Sequence, residues 1–117
     1  MDYVDGMLAA VPADARDAYL EHAARAAEIF RAHGALSVVE CWGDDLPEGK
    51  RNSMHSAVLR EPGETVVLSW VTWPSRAARD AGWEKVMADP RMSPEANPMP
   101  FDGSRMIFGG FEKIMEN

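Results

Sequence analysis

One cysteine, Cys41, is all the sequence has, so no internal disulfide can form, and a lone thiol predicts a reducing compartment, the cytoplasm. No apolar tract is long enough to span a bilayer, and a membrane partner is not expected. The opening MDYVDG carries acids where a secretory leader carries bases, and no apolar core follows it, which predicts no export. Metal-binding spacings are missing as well. There is no CxxC or HxxxH pair, and His22 and His33 fall about three turns apart on one predicted helix, so no metal and no bound cofactor are expected. Bases are scarce at the front: residues 1–48 hold ten acids against three bases, while residues 49–117 hold nine of each. With a net charge of −7 and only the isolated pair Lys50 and Arg51, the chain offers no basic stripe for a phosphate backbone, which argues against a nucleic-acid partner.

What remains is an ordinary globular composition, 46% hydrophobic and 26% charged, over 117 residues. That length predicts a single domain, residues 1–117, with no separate cofactor domain. Period-two patterning predicts a first strand from Tyr3 to Ala10. Pro12 at a helix entrance, Asp14 and Asp17 in the first turn and Gly34 at the end predict a helix over 13–33, its apolar stripe formed by Tyr19, Leu20, Ala23, Ala27 and Phe30. A β-branched and aromatic run predicts a second strand over 35–43, with Cys41 and Trp42 pointing to opposite faces and the acidic turn Asp44, Asp45 and Glu48 beyond it. Thr65 to Trp73, between Pro62-Gly63 and Pro74, is the most strand-like run. Ser75 then caps a second helix that stops before Asp89-Pro90, and a proline-rich passage leads to a last strand within 105–115, where Gly109-Gly110 predict a bulge or a close backbone approach. The order βαββαβ predicts an α+β fold of ferredoxin-like type, a four-stranded antiparallel sheet with two helices on one face.

The third and fourth strands do not alternate cleanly: Val66, Val67, Leu68, Trp70 and Val71, and likewise Met106, Ile107, Phe108 and Phe111, place apolar groups on both sides. Two helices cover one face only, so the other face needs a partner. In so short a chain a second copy packed about a two-fold axis is expected, with Trp70 or Trp73 at the interface.

The strings HGAL, VECWGDDLPEGK, ETVVLSWVTWPSRAARD, KVMADPRM and MPFDGSRMIFGGFE, spread over nearly the whole chain, resemble the YbaA-like family of uncharacterised bacterial proteins. That resemblance implies a homodimeric α/β barrel built from the ferredoxin-like fold. It brings no established chemistry and no catalytic residues. Related folds host cofactor-independent oxygenases, degradative lyases and binding domains, and fold does not determine function.

Candidate functional groups are weighed against their ordinary roles. Cys41 has carboxylates for neighbours, which raise a thiol's pKa, and reads as a buried strand residue rather than a nucleophile. His22 and His33 read as surface or capping residues. His55, in the loop after the second strand, is the candidate acid or base for proton transfer, though an exposed loop histidine has the same letters. Trp42 and Trp70 are candidate aromatic walls, or core and interface residues. Arg76, Arg79, Arg91 and Arg105 either meet the charge of a small aromatic or carboxylate ligand or pair with Asp80, Asp89 and Asp102. Two functions stay open: a homodimer that binds or transforms a small, partly apolar metabolite, or a non-catalytic dimerisation or interaction module.

Overall fold

A computed structural model describes residues 2–117. Four strands, β1 (Tyr3–Pro12), β2 (Ser37–Trp42), β3 (Glu64–Trp73) and β4 (Ile107–Glu112), form one antiparallel sheet in the order β2-β3-β1-β4. Between them lie helices α1 (Arg16–Ala32), α2 (Met54–Ala57) and α3 (Arg76–Ala88). The sheet order and the two long helices define the ferredoxin-like α+β fold.

β1 runs two residues further than its pattern suggested, because its pairing with β3 continues to Pro12 opposite Glu64. Pro12 therefore ends a strand rather than opening a helix. A short 3-10 turn, Ala13–Ala15, follows, and α1 starts at Arg16. Its far end closes as a Schellman motif: Ala35 N–H reaches the Phe30 carbonyl, Gly34 N–H reaches that of Arg31, and Gly34 takes a φ of 110° that other residues rarely adopt. Tyr19, Ala23, Ala26 and Phe30 share a narrow arc of α1 facing the sheet, whereas Leu20, about 100° away, is exposed and Ile29 is buried in its place. Ser75 caps α3 as expected, accepting from Ala78 N–H at 3.1 Å. β4 is shorter than its apolar run, because Arg105 is drawn into a 3-10 turn by Asp102 and Glu64. Gly109 and Gly110 make no bulge. They pair regularly with Gly6 and Asp5, and the close approach is real: a Cβ on Gly110 would lie 2.6 Å from the Tyr3 hydroxyl.

On the helix face the core runs from Val11, Tyr19, Ala23 and Val67 at one end to Phe30, Val71, Trp73 and Val86 at the other. The register assigns the two tryptophans of β3 to opposite faces. Trp73 is fully buried beneath the helices, and Trp70 lies on the other face with Leu8, Cys41, Leu68, Ile107 and Phe111. One end of that second face is not helix-free. Val58, after the short helix α2, packs on Ala10 and Val66 with Leu46 nearby, so the segment between β2 and β3 folds over it. The rest lies open: Leu68, Ile107 and Phe111 are 43%, 45% and 62% exposed around a groove of about 330 Å3.

Candidate functional site

Most of the arginines are already satisfied. Arg79 donates from Nε and a terminal nitrogen to Asp5, and from its other nitrogen to Asp80. Asp5, 3% exposed, also accepts from the indoles of Trp73 at 2.9 Å and Trp83 at 2.8 Å, and this carboxylate raises the guanidinium's pKa. Arg91 pairs with Asp89 at 2.7 Å, and Arg105 grips both oxygens of Glu64 at 2.7 Å while reaching Asp102. These carboxyls are held below their usual range, Asp89 and Glu64 chiefly by those arginines and Asp102 chiefly by the Ser104 hydroxyl. Arg76 is exposed, 3.7 Å from Asp80. The arrangement is that of structural ion pairs pinning α3, the proline-rich passage and the start of β4.

His55 is not among them. It sits on α2, on the far side of the sheet, with Nδ1 3.0 Å from Glu48. The helix that carries it is one turn held by a Ser53 and Ser56 capping box. Trp70 lies on that far face too. Of the tryptophans named from sequence, only Trp42 reaches a cleft between helix and sheet.

That cleft lies between the first turns of α1 and the end of β2. β2 turns Val38, Glu40 and Trp42 inward, since they pair with Val71, Ser69 and Val67 of the helix face. Two of these inward groups are apolar and the middle one is a carboxylate. Tyr19 of α1 donates to Glu40 Oε1 at 2.5 Å, and the Ser69 hydroxyl adjoins both. Among the described residues no Lys, Arg or His is within ion-pairing distance of Glu40. Burial pushes its carboxyl above the ordinary range, with Tyr19 and Ser69 only partly opposing that. Burial, and then Glu40 itself, push the Tyr19 phenol far up, so it stays a proton donor throughout the physiological range. Trp42 tilts against Tyr19 with ring centroids 6.1 Å apart, and the exposed Arg16 guanidinium sits 5.8 Å over the Trp42 ring. Arg16, Tyr19, Glu40 and Trp42, with Leu20, Cys41 and Val67, line a pocket of about 110 Å3.

Behind Tyr19, outside the pocket, lies the end of the proline-rich passage. Phe101 packs on Tyr19 and on His22, with centroids 5.6 and 5.9 Å apart. The buried Asn97 gives Nδ2–H to the His22 carbonyl, which turns its Oδ1 toward His22 Nδ1, 3.1 Å away. His22 is thus a clamped, half-buried group whose burial lowers its pKa, not the surface residue its position on the helix suggested. Cys41 is half-buried on the open face rather than enclosed.

The comparisons with known proteins identify a family and add no chemistry. The model of the family described as "Protein of unknown function (DUF1428)" matches residues 2–103. The chain is similar to the "Uncharacterized protein YbaA" of Escherichia coli strain K12 and to the proteins of that name in Escherichia coli O157:H7 and Shigella flexneri. Each is 53% identical over 116 residues, covering 99% of this chain and 99% of the relative. The chain therefore belongs to the DUF1428 family, and no function is established for it.

Proposed function

We propose that the protein is a cytoplasmic homodimer in which each protomer binds, and by proton transfer transforms, a small, partly apolar metabolite in the pocket between α1 and β2, without a metal or bound cofactor. One observation carries this reading: Glu40 is a partly desolvated carboxyl with hydroxyl partners and, among the described residues, no counter-ion, turned into a pocket walled by Trp42. A sheet position between Val38 and Trp42 would stabilise the fold better with an apolar side chain, and groups perturbed in this way concentrate at functional sites. The proton affinity of Glu40, raised by burial, suits a general acid or base, and Tyr19 is a fixed donor beside it. His55, remote from this pocket, takes no part.

Support for the homodimer comes from the open sheet face. Leu68, Trp70, Ile107 and Phe111 form a continuous apolar surface on a chain of 12.9 kDa, where a monomer would carry polar side chains. If the pocket has no ligand, that face is what favours the interaction-module reading.

The test is a thermal-shift screen of small metabolites against wild type and Glu40→Gln. Hits that raise the wild-type Tm and lose their effect in the folded variant support the reading. Hits indifferent to Glu40→Gln, or none in a broad screen, would leave the module reading in its place.

A further inference from the structure

We propose that the pocket between α1 and β2 takes a small apolar amine, with its ammonium at Glu40 and its hydrocarbon body against Trp42, Leu20 and Val67. This rests on the pocket being the ligand site and specifies what enters it. Glu40 is a carboxyl group in a partly desolvated setting whose neighbours, Tyr19 and Ser69, bring hydroxyls and no positive charge. The partner that best completes such a group is a cation with hydrogens to donate. The walls suit the same ligand, because the faces of Tyr19 and Trp42 carry negative quadrupole potential. Trp42 already has a cation on its face: Arg16, an exposed side chain without a carboxylate partner among the described residues, rests there.

Arg16 could instead attract an anion, and magnitude decides between the two. A charge pair at a given separation is several-fold stronger in the partly desolvated environment of a protein than in water. Arg16 is on the wet side of this comparison and Glu40 on the dry side. A carboxylate ligand in the pocket would gain little from Arg16 and be repelled by Glu40. Size limits the ligand further. The pocket, about 110 Å3, is smaller than the roughly 150 Å3 cavity that accepts benzene, so the enclosed body is on the order of five carbons.

Isopentylamine, isopentyl alcohol and isovalerate share one carbon skeleton and differ in the head group. Each is titrated into the full chain while the NMR signals of the Trp42 indole N–H and of residues 19 and 40 are followed. The amine should bind at least roughly tenfold tighter than the other two, as a charge-assisted hydrogen bond to a buried group implies. Its affinity should fall as the pH drops and Glu40 takes up a proton. Titratable groups lining the pocket with Glu40 are Arg16 and Tyr19 from α1 and Cys41 from β2, while β3 presents only Ser69 beside it, and His22 lies behind Tyr19 with ring centroids 6.3 Å apart. His22 would add repulsion of a cation at low pH, and Glu40→Gln separates the two effects by abolishing the Glu40 component alone. Should that variant not fold, the wild-type order of the three probes still decides. Preferred binding of isovalerate or the alcohol at these signals would overturn the amine while keeping the pocket as the ligand site. Shifts from none of the three would overturn both.

Discussion

Tyr19 donates its phenolic hydrogen to Oε1 of Glu40 over 2.5 Å, and this contact ties the first turn of α1 to the inner face of β2. It also keeps a carboxylate where the rest of the row is apolar. Tyr19→Phe removes the donor and leaves Ser69 as the remaining hydroxyl beside Glu40. The variant should lose about 1 kcal/mol, and an NMR titration should find the Glu40 carboxyl moved further up, since the Tyr19 hydrogen bond is what opposes burial.

The pH dependence follows from the same pair. The folded-state pKa of Glu40 lies above its ordinary value near 4.5, so the folded chain holds this proton more tightly than the unfolded chain. Its contribution is therefore most favourable below that ordinary value and declines as pH rises through the folded-state value. Glu40→Gln keeps an acceptor for Tyr19 and removes the charge. Denaturant midpoints measured across mildly acidic to neutral pH should show the variant equal to or more stable than wild type at neutrality, with the gap closing toward acid. A variant less stable at every pH would mean that the ionised carboxylate is held by more than hydroxyls.

Asp5 is the opposite case, a buried carboxylate that is fully partnered. Asp5→Ala leaves the Arg79 guanidinium and the indoles of Trp73 and Trp83 without their acceptor, and should cost about 3–5 kcal/mol by chemical denaturation. Combining it with Arg79→Leu should recover part of that loss, a coupling that a double-mutant cycle would measure.

Gly82 contrasts helix propensity with packing. Alanine in a helix gains about 1 kcal/mol over glycine, yet here the new Cβ would lie 2.2 Å from the ring of the fully buried Trp73 and 2.8 Å from the His33 carbonyl oxygen. Neither neighbour can move away freely. Overpacking of this kind costs about 1–3 kcal/mol or more, so Gly82→Ala should lower the Tm rather than raise it.

The strand order was legible because its signals are local. β3 is bounded by prolines and glycine, Ser75 caps α3 through its own hydroxyl, and Gly34 adopts the positive φ that ends α1. Ion pairs close in sequence, Arg91 with Asp89 and Arg105 with Asp102, were legible for the same reason. Glu40 was not, because a charged residue in an alternating strand reads as solvent-facing. The signal that could have found it is parity: Val38 and Trp42 flank it at two residues on either side, and if they face the core so does Glu40. His22 reads as a surface or capping residue because the residue that clamps it, Asn97, lies 75 positions away. His55 drew attention because loops often carry function, but here the loop folds over the far side of the sheet.

The open face predicts a dimer that one charge can break. Leu68 sits on it between Leu8 and Cys41, half-exposed and away from the pocket wall that Trp42 forms. Leu68→Asp should stay folded and sediment as a monomer where wild type should sediment as a dimer, because an aspartate at a packed interface costs several kcal/mol of desolvation. A wild-type monomer that stays folded at micromolar concentration would remove the homodimer from the proposal.

Native mass spectrometry of the protein after incubation with a bacterial metabolite extract tests the pocket most directly. Wild type should retain a small-molecule adduct on each protomer that is lost in both Glu40→Gln and Trp42→Leu, the two variants remaining folded by circular dichroism. An adduct that survives both substitutions, or its complete absence from wild type, would contradict a ligand site between α1 and β2.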